Sequence, residues 1–342
     1  MLENVSRRSM LKGAAALGLV GAFAPMAAMA ADGSAKSDKS AKADKAASAK
    51  GETPSEVKVA SWDGEGNPTE VTVKYDPQRI VTLDMACLDI INSLNEAGRV
   101  VGSSSTRLEY LVDIVNSDGV AQCGTVKEAD MEAIMGCEPD VIFTGGRMSK
   151  VYGDLTEIAP TCLIKADTEK GVVQSTHDNA SAIAALFGKT AEVDGLMQDY
   201  KDRIAKLAEF AKGHTAMLGM VTSGSFNVMG NDGRCSLITK EVGFENVAGD
   251  EVTSTHGNES SFETIVKLDP EYIFVLDRDA AIGTDGAQLA QDVMNNEMVN
   301  QTQAAQNGHI VYLANPAVWY TAEGGIQALD VMISDLEDAL QA

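Results

Sequence analysis

One pattern recurs in this chain at a fixed distance, and it limits the folds available. Met131-Glu132-Ala133-Ile134 runs through Glu138-Pro139-Asp140-Val141-Ile142-Phe143 to Arg147, and Phe262-Glu263-Thr264-Ile265 runs through Asp269-Pro270-Glu271-Tyr272-Ile273-Phe274 to Arg278. Both read Glu-x-Ile, then Pro-acid-x-Ile-Phe, then Arg, with a constant offset of 131 residues. Each copy predicts a short helix stopped by a proline, a buried strand, and polar residues at that strand's carboxyl end. A weaker echo precedes each copy, Glu96-Ala97-Gly98 ahead of Gly102 and Glu241-Val242-Gly243 ahead of Gly249. Strands alternating with helices imply parallel sheets, so the chain reads as two α/β lobes. Ligands of such sheets meet the loops at the carboxyl ends of strands, where Arg147 and Arg278 fall in equivalent places of two lobes. Matched loops facing one another enclose a cleft.

Between the copies, His177 to Lys212 follows a helical pattern. Val193, Leu196, Met197, Tyr200, Ile204 and Leu207 keep the helical period, and Gly213 suits the residue just past the end. The expected division is an N-terminal lobe over 55–176, one linking backbone helix over 177–213 and a C-terminal lobe over 214–342. A single long helix between lobes permits only a small rocking.

Ahead of the lobes, Ser6-Arg7-Arg8-Ser9-Met10-Leu11-Lys12 is a twin-arginine pattern, followed by an uncharged run from Gly13 to Ala30 that ends in Ala28-Met29-Ala30. Residues 1–30 therefore read as a twin-arginine signal peptide with a small-x-small cleavage site. The run is rich in the small side chains Ala and Gly and ends in a cleavage site, which argues against a membrane anchor, and no cysteine follows it to carry a lipid. Residues 31–54 are mostly Ala, Ser, Lys and Asp, and predict a disordered tether. The expected product is exported to the periplasm or another extracytoplasmic space. The full chain's formal charge of −23 argues against nucleic acid and against anionic lipid as partners. Five dispersed cysteines without CxxC spacing support neither a zinc site nor a full disulfide framework. One disulfide remains open, with no pair favoured.

Catalytic signatures are missing: there is no G-x-S-x-G elbow, HExxH, P-loop or dinucleotide fingerprint. The chain reads as a binder, not an enzyme. His177, His214 and His309 suit local roles, while His256 sits in a polar loop, Thr253 to Ser261, whose ordinary reading is a solvated turn. Arg234 lies in Gly230-Asn231-Asp232-Gly233-Arg234, a turn opening an apolar helix, where backbone amides and a guanidinium favour an anion. Tyr320 follows a strand and precedes the last helix. Asp84 and Asp89 read as helix-start residues.

Taken together, Gln78-Arg79-Ile80-Val81 through Asp89, Gly145-Gly146-Arg147 through Tyr152, Val275-Leu276-Asp277-Arg278-Asp279, His256-Gly257 and Trp319-Tyr320 resemble the periplasmic ferric-siderophore-binding proteins of ABC importers, in the catecholate subgroup of petrobactin and enterobactin binders. The resemblance runs from about residue 57 to the end. It implies the helical-backbone (type III) class, with two Rossmann-like lobes joined by one long helix and a ligand cleft between them. It also implies that Arg147, Arg234 and Arg278 contact an anionic ferric-catecholate complex. His256 and Tyr320 match a pair able to ligate Fe(III) when a siderophore fills four of its six sites; phenolate is a hard donor suited to that ion. Glu132 and Glu263 match the pair that docks on the permease dimer, although a first-turn glutamate is also favoured by the helix dipole alone. The implied protein is a monomer with no intrinsic cofactor. Two departures stand out: Glu259 follows His256-Gly257 where a neutral or basic residue is expected, and Val318 replaces an aromatic beside Trp319. The same fold holding haem, a corrinoid or another chelate is the alternative, against which three inward arginines weigh. An extracytoplasmic hydrolase is the remoter one.

Overall fold

The computed structural model describes residues 54–341 apart from 168, 250–257 and 260–261, with Asn258–Glu259 described through the backbone alone. The signal peptide, the tether and His256 lie outside the described residues. Glu52–Ala342 forms one compact unit.

The N-terminal sheet contains β1 (Glu56–Trp62), β2 (Pro68–Lys74), β3 (Ile80–Thr82), β4 (Val100–Ser103), β5 (Ala121–Gln122), β6 (Val141–Thr144) and β7 (Thr161–Leu163), in spatial order β2-β1-β7-β6-β3-β4-β5. From β7 to β5 the pairing is parallel, with Ile142 of β6 opposite Val81 on one side and Thr161 on the other. The β1–β2 hairpin closes one edge antiparallel. Its helices are α1 (Met85–Ser93), α2 (Glu109–Val115), α3 (Met131–Gly136) and α4 (Tyr152–Thr156), followed by α5 (Gly171–Ala185) and α6 (Thr190–Ala211).

The C-terminal sheet contains β8 (Thr215–Thr222), β9 (Ser225–Met229), β10 (Glu245–Asn246), β11 (Asn258–Glu259), β12 (Tyr272–Asp277) and β13 (Ile310–Tyr312). Its order is β11-β9-β8-β12-β13, with β10 paired to the start of β8, and the β8–β12–β13 centre is parallel. Helices α7 (Phe262–Leu268), α8 (Arg278–Ile282), α9 (Ala290–Met294), α10 (Gln303–Gln306), α11 (Pro316–Thr321) and α12 (Ile326–Leu340) complete the chain.

Strand alternation divides the apolar side chains between layers. Ile80 and Phe143 of one sheet, and Leu218, Met220, Phe274 and Leu276 of the other, belong to a single core shared by both lobes with α1, α5, α6 and α12. Their neighbours face outward layers local to each lobe: Val81 and Ile142 in the first, Met217, Val221, Ile273 and Val275 in the second. The two sequence copies fold alike, α3 into β6 and α7 into β12. The likeness reaches the backbone: Glu138 and Asp269, each just before the copy's proline, both adopt left-handed φ values of 45° and 38°. That conformation is costly for a residue with a side chain, so its recurrence marks a built turn.

The linking helix starts later than its pattern predicts. Residues from His177 belong to α5, which ends near Gly188 (φ +68°), where the Lys189 amide donates to the Ala184 carbonyl at 3.0 Å. That left-handed glycine ends the helix, and α6 starts afresh two residues later. At 22 residues α6 spans roughly 33 Å and carries the chain into β8. Val193, Met197, Tyr200, Ile204 and Leu207 are buried as expected, while Leu196 is 39% exposed.

The final helix behaves differently from the expected lobe boundaries. It crosses back and packs on α1 and α6. Asp89, expected as a helix start, lies inside α1 and its carboxylate accepts the Gln327 and Ala328 amides at 2.9 Å each, capping α12 from the other lobe. Arg203 of α6 grips Glu337 with two bonds of 2.9 and 2.6 Å and also pairs with Asp330. Two helices therefore cross between the lobes. Glu241 adds a third tie, accepting the Val173 amide at 3.1 Å near the start of α5.

Candidate ligand-binding cleft

At the carboxyl end of β6 the chain must turn beneath Asp84, which caps α1 by accepting from the amides of Ala86 at 3.0 Å and Cys87 at 3.3 Å. Gly145 permits this, since a Cβ there would stand 2.2 Å from the Asp84 carboxylate. Arg147 follows in a 3-10 turn over Gly146–Val151. At the equivalent end of β12, Arg278 opens α8 behind its cap Asp277. Arg234 arrives from the turn preceding the wide helical turn Leu237–Glu241, and the left-handed Cys235 (φ 64°) follows it.

All three guanidinium groups meet at Tyr320, on α11. Arg147 and Arg234 each donate to its carbonyl oxygen at 3.1 Å, and Arg278 Nε donates to its hydroxyl at 3.1 Å. Their central carbons lie 5.9, 4.3 and 5.7 Å from its ring centre. Cations over an aromatic face are attracted to its negative quadrupole, which offsets part of their mutual repulsion. Tyr320 is only 4% exposed. Arg278 is held further by Thr222 Oγ1 and Asp279, both at 3.2 Å.

A cavity of about 570 Å³ opens beside this cluster, between the lobes, lined by Arg147, Arg234, Tyr320, Glu323, Lys127 and Lys165 among others. Arg278 reaches it only through Tyr320. Burial and the neighbouring Arg147 pull the Arg234 guanidinium below its usual range, against the attraction of Glu323. Its buried Nε has no hydrogen-bond partner among the described residues. A donor left so is costly unless something supplies an acceptor, and an anionic oxygen does so best. Burial pushes the carboxyl of Glu323 up to about 7, with Arg234 and Arg147 opposing the rise and Glu241 adding to it. Asp84 is likewise raised by burial and restrained by Arg147.

Of the candidate residues read from the sequence, Arg147, Arg234, Arg278 and Tyr320 come together. His256 lies outside the described residues. Glu132 and Glu263 stand apart from the cleft, exposed on the first turns of α3 and α7. The other histidines are local: His177 pairs with Asp194 at 2.8 Å, His214 with Glu271 at 3.0 Å, and His309 stacks on Tyr272 at 4.3 Å. Val318 is buried, and Trp319 beside it donates to Asp335 at 2.8 Å. Among the described residues no three His, Cys, Asp or Glu side chains group to hold a metal, and no helix is long and apolar enough to cross a membrane.

Sequence reasoning passed over Glu323, Lys127 and Lys165. Glu323 stood three residues from Tyr320 in a glycine-bounded turn, a findable signal. Lys165, over the Trp62 ring at 3.9 Å, lies far from any motif and left none.

Residues 80–317 match the family described as periplasmic binding protein. The petrobactin-binding protein YclQ of Bacillus subtilis is 30% identical over 271 residues, covering 79% of this chain and 84% of that protein. Its crystal structure superposes with a TM-score of 0.77 at 28% identity, covering 84% of this chain and 99% of that one. The periplasmic catecholate-siderophore binding protein VctP of Vibrio cholerae gives 0.75 at 29% identity, covering 82% of this chain and 100% of its own. The iron uptake ABC transporter substrate-binding protein PiuA of Streptococcus pneumoniae gives 0.75 at 31%, covering 84% and 100%.

Proposed function

The chain belongs to the periplasmic binding protein family, and we propose that it captures a ferric catecholate-type siderophore and delivers it to an ABC permease. The observation that carries this reading is the convergence of Arg147, Arg234 and Arg278 on Tyr320 from both lobes. A ferric tris-catecholate carries a net charge near −3, which Arg147 and Arg234 match through charge-assisted hydrogen bonds while Arg278 adds a third positive charge behind Tyr320. The names of YclQ and VctP support the same ligand class.

In this mechanism the metal complex is cargo. Its catecholate oxygens take the guanidinium donors that Arg147 and Arg234 turn to the cavity. Where the chelator fills only four sites of Fe(III), the Tyr320 hydroxyl is the protein's own oxygen donor and His256 the second ligand. Arg278, which already donates to that hydroxyl, would then stabilise a phenolate there. With α6 and α12 both crossing between the lobes, closure is a small rocking. Glu132 and Glu263, on equivalent helices, then engage a two-subunit permease. Export by the twin-arginine route and removal of residues 1–30 belong to this reading, as does the monomeric, cofactor-free state.

A screen of ferric siderophores by quenching of Trp62 and Trp319 fluorescence tests it. Saturable quenching by ferric catecholates, and not by haem or a corrinoid, is expected. Tight binding of either of those with no response to catecholates would refute it. Glu132→Ala and Glu263→Ala variants should bind normally yet fail to support uptake.

A further inference from the structure

The odd number of cysteines left the sequence without a favoured pair; the fold supplies one. Among the described residues, Cys123 and Cys137 bring their sulfur atoms to 3.9 Å, both side chains buried. Cys123 follows β5, the outermost strand of its sheet, and Cys137 caps the end of α3. The space in which they meet is made by Gly102 of β4. A Cβ there would stand 2.6 Å from the Cys123 sulfur and 2.8 Å from that of Cys137. Cys87, Cys162 and Cys235 are buried elsewhere as free thiols.

We propose that Cys123 and Cys137 are a redox-responsive pair that closes to a disulfide in an oxidising compartment. The bond would staple the segment carrying Lys127 of the cleft and Glu132 of α3. The oxidant is a disulfide of small-molecule or protein type. One protein thiolate attacks it, releasing one thiol and leaving a mixed disulfide. The second protein thiolate then displaces the other half, so the protein loses two protons and two electrons and the oxidant leaves as two thiols. Burial and the adjoining thiol push Cys123 up to about 12, which keeps the reduced pair unreactive until it opens. Opening is local here, because β5 is two residues long at a sheet edge and α3 only six. This inference is independent of the ligand.

Trypsin reads the bond directly, because Lys127 lies between the two cysteines. The full folded chain is incubated with oxidised glutathione, denatured in an alkylating agent and digested. Peptides 108–127 and 128–147, one cysteine each, should then appear linked and two hydrogens lighter, with Cys87, Cys162 and Cys235 alkylated. The oxidised protein should melt roughly 5 °C above the reduced one. That gap should vanish in Cys137→Ser, whose melting point should match the reduced wild type. Alkylation of all five cysteines, linkage of a different pair, or a melting point unmoved by oxidation would overturn the proposal.

Discussion

Glu323→Gln probes the electrostatics of the cleft without touching an arginine. The carboxyl is raised from 4.5 in a free glutamate to about 7 in the folded protein, because burial outweighs the pull of Arg234 and Arg147. A group with a raised folded value binds more protons folded than unfolded, so its contribution is full below 4.5 and is lost as pH climbs through 7. At about 1.4 kcal/mol per tenfold change in proton affinity, the complete loss is roughly 3 kcal/mol. About 1 kcal/mol of it has gone by pH 5 and nearly all by pH 8, by the same linkage. Glutamine keeps the shape of the protonated acid and does not titrate. Unfolding by urea at pH 5, 6, 7 and 8 should therefore show the variant gaining on the wild type by about 2 to 3 kcal/mol across that range. Parallel stability curves would refute the argument. The same acid should couple to cargo: wild-type affinity for a ferric catecholate should rise from pH 8 to pH 6 more steeply than that of the variant.

Further outcomes follow from other contacts. Asp89→Asn leaves one oxygen to receive the Tyr110 hydroxyl, which bonds Asp89 at 2.6 Å, and the two amides of α12, and should cost about 1 to 3 kcal/mol in a denaturation experiment. Gly102→Ala forces a methyl group against both sulfur atoms and should destabilise by about 1 to 3 kcal/mol in the same assay. Tyr320→Phe keeps the ring beneath the cations and removes only the hydroxyl that Arg278 meets. With a ferric tetradentate catecholate its charge-transfer band should shift from that of wild type, and an unmoved band in both this variant and His256→Ala would exclude direct iron ligation.

Much of this was legible because duplication leaves a periodic trace. The copies around Pro139 and Pro270 located two strands and, at their ends, two arginines that do meet. The layers on either side of β8 and β12 were not legible, because both faces of these strands are buried and their sequences carry no polar alternation. What escaped depended on contacts distant in sequence. Asp89 looks like a helix-start acid until Gln327 and Ala328, some 240 residues on, are placed over it. The break at Gly188 was readable as a helix end, but the apolar period on either side of it concealed the stop. Glu323 carried no motif, and its character arises from enclosure beside Arg234. The pairing of Cys123 with Cys137 required knowing that Gly102 lies between them.

The central claim is that Arg147, Arg234 and Arg278 around Tyr320 form the anion site. Its most direct test is the affinity of one ferric catecholate, by fluorescence quenching, for the wild type and for each arginine changed singly to alanine. Lys58→Ala serves as a control, since its ion pair with Glu70 is exposed. Losing a charged hydrogen-bond donor to the ligand costs about 1.5 to 3 kcal/mol, so Arg147→Ala and Arg234→Ala should each weaken binding by roughly 10- to 100-fold. Arg278→Ala, acting through Tyr320, should weaken it less, and the control should match the wild type. Unchanged affinity in both Arg147→Ala and Arg234→Ala, in folded protein, would contradict the account.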